Sequence, residues 1–260
     1  MAESYLEGGD ADFWAFVDGN GGSYLKGVDF ISTMPDGVRG VVATSKINKN
    51  STVLKVPFTM CIHGGPEGSE VGAAIAAQPT EVEPFVKTVL ATHFEISNGV
   101  DSRFAAFVRI MPTEVRLPMV GATSDEELRA LASSAVGPVV CSGNELATLE
   151  ESVRPLLTAI AADAASSTRR VREWAAGVES DAFRALYLRC YALVASRSFS
   201  ANRPELECPL MCPVQDLLNH SSNARERNVE LDFTPGCFEV RALFYPGVEL
   251  RANIESISRR

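Results

Sequence analysis

The stretch PVQDLLNHSS, residues 213–222, brings together a carboxylate (Asp216), a carboxamide (Asn219) and an imidazole (His220). The chain has only 3 histidines, so the chemistry of this one has to be weighed. A buried imidazole held by hydrogen bonds is the plainest reading. A metal ligand is the second: Cys208, Cys212 and Cys237 stand near enough in sequence to complete a tetrahedral zinc set with His220. However, CPLMC encloses 3 residues where the usual zinc pair encloses about two, and no second tight pair follows. The cysteines read better as small buried apolar side chains, and no metal is expected. A general base is the third reading. The fourth is a tight passage of chain whose backbone and amide grip a cofactor. The residues alone leave these readings open.

Composition narrows the class. At 260 residues the chain can bury a substantial core. A hydrophobic fraction of 46% with 22% charged residues is that of an ordinary globular protein. A net charge of −9 argues against direct nucleic-acid binding through phosphates. No apolar run reaches the roughly eighteen residues of a membrane span, so no membrane partner is expected. The start, MAESYLEGGDADFW, is acidic and has neither the basic lead nor the apolar centre of an export signal. Cytoplasm or nucleus is the expected compartment, and the 6 cysteines are expected as free thiols.

The elements that must position Asp216, Asn219 and His220 change in texture along the chain. Residues 12–24 read as a short helix stopped by a glycine cluster. Residues 26–62 bunch Val, Ile, Thr and Phe between the turn signals MPDG and NKNS, which predicts antiparallel strands. Residues 81–97 carry apolar side chains at helical spacing. Residues 124–133 open on a capping box, Ser124 with Glu127. Residues 144–176 and 181–199 are rich in Ala, Leu and Arg and predict long helices, with Pro155 marking a boundary or kink. The tail returns to strands: NVELDFT, then CFEVRALFY, then VELRANI, separated by Pro-Gly turns. The order β, helices, β predicts an α+β fold in which a helical insert interrupts a β-rich core.

Several of these stretches together resemble one family, the Rubisco large-subunit methyltransferase group of SET-domain proteins. DGVRGVVATSKINKNSTVLKVP resembles the opening of a SET domain. FVKTVLATHFEISNGVDSRFAAFVRIMP and SDEELRAL resemble that group's helical insert, YALVASRSF its Ser-Arg-x-Phe element, and PVQDLLNHSS its Asp-x-x-Asn-His-Ser signature. The matches stand in the family's order over roughly residues 10–250, which makes the set far more specific than any one motif. The resemblance implies a lead-in over 1–25, a first part of the SET core over 26–80, a helical insert with its following helix over 81–199, and an incomplete second part of the core over 200–260.

The resemblance also implies an activity: S-adenosylmethionine-dependent methylation of a protein, most simply at a lysine amine. One member of the group methylates histidine, which leaves a histidine acceptor open. On this reading Arg197 reaches the cofactor carboxylate, a task suited to a guanidinium fork. Asn219 contacts the cofactor's amino-acid end, and the backbone at His220 meets the adenine edge. Asp216 helps to hold the substrate. The backbone of Gly37, Val38 and Arg39 approaches the cofactor from the front turn, where glycine allows close contact. The plain alternatives are a helix-end cation for Arg197 and turn-ordering for Asp216.

The chain departs from the family at its end. Family members continue into a strand ending in Tyr-Gly, whose tyrosine lies over the reacting nitrogen, and then into a further helical domain. Here the sequence ends in YPGVELRANIESISRR, and Tyr245 precedes the hairpin Gly247, so no catalytic tyrosine is assigned. A truncated fragment or an inactive SET-like binding module is the alternative to an enzyme. An unrelated β-plus-helix regulatory domain requires all the ordered matches to be chance. Truncation carries an expectation of its own: Val240, Leu243, Phe244 and Leu250 should lie on exposed apolar surface.

Overall fold

A computed structural model of the chain describes residues 9–33, 39–113, 115, 148–200, 207–214, 218–220, 229–243 and 251–252. The chain forms two compact units, one of residues 1–62, 104–110 and 198–260, the other of 63–103 and 111–197. The structure mixes α and β.

The first unit is built on a four-stranded antiparallel sheet. Its strands are β1 (Ser23–Tyr24), β4 (Thr52–Pro57), β6 (Val229–Thr234) and β7 (Cys237–Ala242), in the order β1-β4-β7-β6. Between β1 and β4 in sequence, β2 (Val28–Thr33) and β3 (Arg39–Ala43) form a separate antiparallel pair with a register shift between Asp29 and Ser32. The alternation of the strands explains the sheet. Leu54, Val240 and Leu231 stand in one cross-strand row, and all three are buried. The adjacent row is Lys55, Glu239 and Asp232, and there Glu239 receives Lys55 at 3.6 Å and Arg241 at 2.7 Å. Thus along β6 and β7 apolar groups and charges alternate between the two faces of the sheet. The β6–β7 hairpin turns at Pro235-Gly236, where Gly236 has φ of 74°.

Among the described residues, two α-helices belong to this unit, α1 (Gly9–Gly19) and α4 (Ala105–Ile110). Phe13 and Val17 of α1 and Phe107 of α4 are fully buried, and Arg109 donates to Asp12 at 3.0 Å. The alternation along β7 corrects one expectation. Val240 is fully buried, on the apolar face that it shares with its cross-strand neighbours Leu54 and Leu231. Leu243 is half-buried, whereas Phe244 and Leu250 fall outside the described residues.

The second unit is helical. Among the described residues it contains α2 (Glu70–Ala76), α3 (Pro84–Asn98), α5 (Arg154–Ala162), α6 (Arg169–Ala175) and α7 (Asp181–Arg197). Pro84 stands in the first turn of α3, where its missing N–H costs nothing. Val86, Val89, Leu90 and Phe94 make up much of its buried face, and Phe85 meets Tyr191 of α7 edge-on at 4.9 Å.

The single helix expected over 144–176 is in fact interrupted. A π-helical turn at Leu149–Val153 leads into α5, which ends at Asp163. Asp163 Oδ1 accepts from the N–H groups of Ala165 and Ser166, at 3.0 and 3.1 Å, and so reverses the chain. The Thr168 hydroxyl then accepts from the Val171 N–H and starts α6. Composition favours helix throughout this stretch, but the short side chains of Asp163 and Thr168 bond the backbone and win locally. Replacing Thr168 with Ala should destabilise the unit by about 1 kcal/mol, measured by urea unfolding.

One glycine here is dictated by packing. A Cβ on Gly64 would collide with Lys87 Cβ and the backbone of α3 at Lys87 and Thr88, and the Gly64 N–H already donates to Thr88 Oγ1 at 3.2 Å. Backbone cannot yield as a flexible side chain can. Gly64→Ala should therefore cost about 2 kcal/mol in the same assay.

Candidate cofactor site

The segment that carries Asn219 and His220 is held by a run of short backbone pairings within the β unit. After α7, Phe199 pairs with Leu210 through two hydrogen bonds of 2.9 and 2.8 Å, and its ring packs 6.1 Å from that of Phe238 on the sheet. Met211 next pairs with Ile62, at 3.1 and 2.9 Å. Leu210, Met211 and Cys212 are all fully buried. The chain then passes Val214, whose φ of 71° is left-handed and whose side chain is fully buried. A β-branched residue in that region costs about 1–3 kcal/mol, which its surroundings must offset.

Asn219 and His220 themselves form β5, which pairs in parallel with Arg251 and Ala252 (β8). VELRANI reads as a strand in the sequence, and its described residues, Arg251 and Ala252, are the strand that joins the Asn-His dipeptide. The backbone of Asn219 and His220 is thus in a paired, extended conformation, and Leu218 just before it is buried.

The remaining site residues from the sequence lie as follows. Arg39 opens β3, in the same unit as Asn219 and His220. Arg197 is the last residue of α7, in the helical unit, and is half-buried. Its neighbour Ser196 turns its hydroxyl back to donate to the carbonyls of Ala192 and Leu193, at 2.7 and 3.3 Å, a local bond into the preceding turn. Gly37, Val38 and Asp216 lie outside the described residues, as does the expected helix over 124–133.

Two polar clusters in the helical unit were not foreseen. In the first, His93 is buried, and Trp174 Nε1–H donates to its Nδ1 at 2.8 Å. Ser97 Oγ lies 3.2 Å from the same nitrogen, and Nε2 lies 3.2 Å from the Phe183 carbonyl. An indole N–H can only donate, so Nδ1 is the acceptor and Nε2 carries the proton. Burial lowers the pKa of His93 to about 4. In the second cluster, the buried Glu95 accepts from Ser102 at 2.6 Å, and burial raises its pKa. Nearby Arg170 pairs with Glu70 and stacks 5.3 Å from the centre of the Phe94 ring, while Arg103 donates to the Gly68 carbonyl at 2.5 Å. Glu70, Glu95, Asp101, Ser102, Arg103 and Arg170 line one cleft. The only sequence signal for either cluster is a polar residue on the apolar face of α3. Its partners are far along the chain, which spacing rules do not reach.

Among the described residues, no group of three or more His, Cys, Asp or Glu side chains is arranged to hold a metal ion. Likewise no described helix is long and apolar enough to cross a membrane.

Neither the family models nor the curated proteins contain a match to this sequence. Solved structures do match. The SET domain of LSMT bound to lysine and AdoHcy aligns over 96% of this chain and 54% of its own, with a TM-score of 0.61 and 19% identity. Rubisco LSMT bound to sinefungin and monomethyllysine aligns over 96% of this chain and 53% of its own, with a TM-score of 0.58 and 22% identity. A further SET domain of LSMT, bound to methyllysine and AdoHcy, gives a TM-score of 0.60 at 23% identity. The chain spans about half the length of these proteins. Its fold is that of the LSMT SET domain.

Proposed function

We propose that this chain binds S-adenosylmethionine and serves a protein methyltransferase whose acceptor is a lysine amine. The observation that carries the reading is the likeness, over 96% of this chain, to an SET domain solved with lysine and AdoHcy. The ordered sequence motifs at YALVASRSF and PVQDLLNHSS support it independently. On this reading the helical unit is the insert of the SET core.

The donor set suits such a cofactor. Arg197 supplies a half-buried guanidinium for a carboxylate. Asn219 supplies an amide for the polar amino-acid end, and the backbone at His220 supplies hydrogen-bonding groups for the adenine edge. Gly37, Val38 and Arg39 contribute backbone, and Asp216 helps to hold the incoming substrate. The bound cofactor supplies a sulfonium-activated methyl group, so the chain need not provide a metal or a strong nucleophile. What the protein must do is align the acceptor in line with that methyl and keep water out. A lysine amine attacks only when neutral, and an apolar channel favours that form by withholding solvation from the ammonium. A histidine acceptor would need no such deprotonation and remains the second substrate class.

The test has two steps. Calorimetric titration of the full chain with S-adenosylmethionine should show saturable binding; none would overturn the reading. Transfer of a labelled methyl group to protein substrates should follow. Binding without transfer would instead make the chain a cofactor-dependent binding module.

A further inference from the structure

Cys61 and Cys212 face each other beside the bridge that joins Ile62 to Met211. Ile62 and Met211 exchange both of their backbone hydrogen bonds. In an antiparallel register the next pair outward is then a non-hydrogen-bonded pair, which is Cys61 with Cys212. That is the position at which opposed Cα atoms come to about 4.5 Å and side chains approach most closely. Accordingly the two sulfurs are 3.4 Å apart, and both side chains are fully buried. A disulfide accepts Cα separations of about 4.4–6.8 Å and needs an S–S distance of about 2.05 Å. Side-chain rotation can supply that closing movement without new backbone pairing. Cys190, by contrast, is buried in the helical unit, and burial raises the pKa of its thiol.

We propose that Cys61 and Cys212 form a redox site, closed to a disulfide by a hydroperoxide and reopened by thiol reductants. One thiolate attacks the peroxide, whose O–O bond breaks to leave a sulfenic acid and one molecule of water or alcohol. The second thiolate attacks the sulfenic sulfur and expels its oxygen as water, so two thiol protons and two electrons pass to the peroxide. Burial makes the first step wait for a local opening of the bridge. Proximity makes the second step fast, because the partner sulfur is already in place. Reduction by thiols waits for the same local opening.

The consequence is mechanical. The two cysteines are 151 positions apart, and the intervening chain includes the whole helical unit. A bond between them closes that long loop and removes freedom from the unfolded chain. It also ties β4's continuation to the segment that leads to Asn219 and His220. The proposal stands on the sulfur geometry and does not depend on cofactor binding.

The test uses the full chain treated with hydrogen peroxide, quenched, unfolded and alkylated. Peptide mapping should recover a peptide pair joined through Cys61 and Cys212, with the mass of two hydrogen atoms lost, and dithiothreitol should abolish it. The bond should survive in Cys208→Ser and Cys237→Ser variants and be lost in Cys61→Ser. Thermal unfolding of the oxidised chain should shift upward by on the order of 5–10 °C. Alkylation of both Cys61 and Cys212 after the treatment, or linkage of either to another cysteine, overturns the site. A Tm that is unchanged or lowered in the linked protein overturns the stabilising role.

Discussion

Arg197→Ala is expected to weaken S-adenosylmethionine binding by about one to two orders of magnitude. The arginine is assigned to the ligand carboxylate, and a charge-assisted hydrogen bond contributes roughly 1.5–3 kcal/mol. Removing the guanidinium also leaves the carboxylate poorly paired. The Ser196 hydroxyl bonds to Ala192 and Leu193 without Arg197, and alanine favours helix, so the helix end should survive the change. Asn219→Ala should weaken binding less, since an uncharged contact is lost. His220→Gln should do least of the three, because only its backbone is assigned to the cofactor, and that backbone is held by pairing with Ala252. Calorimetry reads the affinities, and circular dichroism verifies folding. If Arg197→Ala binds like the parent chain while His220→Gln does not bind, the roles are assigned wrongly.

The second large effect concerns acid stability. His93 is held neutral, with Nδ1 facing the Trp174 N–H and the ring buried, and its folded pKa is about 4. The unfolded value is about 6.5. A folded pKa below the unfolded one means the unfolded chain binds the proton more readily. The stabilising contribution is therefore complete above the unfolded pKa and is lost as pH falls from about 6.5 towards 4. The full loss corresponds to about 3 kcal/mol, of which about 2 kcal/mol falls between pH 7 and pH 5. His63, whose pKa is lowered by burial and by Arg103, adds in the same direction. Glu95 opposes it: with a raised pKa it is least costly when protonated, so it gains as pH falls. Urea unfolding at both pH values, in the parent and in His93→Gln, isolates the histidine. An equal pH dependence in the two proteins would show that His93 does not titrate on unfolding.

Local chemistry was legible wherever neighbours in sequence are neighbours in space. The alternation in TVLKVP and CFEVRA is enough to predict β4 and β7, because side chains two apart share a face. Pro84 and the apolar spacing after it mark α3 for the same kind of reason. The resemblance of PVQDLLNHSS and YALVASRSF to SET-domain motifs pointed to the fold, which the solved LSMT structures share. Where the chain reverses, competition between weak local preferences decides. Asp163 and Thr168 divide a helix that composition alone would have continued.

The rest is long-range. Trp174 reaches His93 across 81 positions of sequence, and Cys212 reaches Cys61 across 151. No period or propensity encodes such pairs. They arise because burying the apolar face of α3, or pairing Met211 with Ile62, forces whichever side chains stand alongside into contact. The parallel partnership of Asn219–His220 with Arg251–Ala252 has the same origin. Each segment by itself is compatible with several neighbours, and only the collapse of the whole unit leaves one of them in hydrogen-bonding reach.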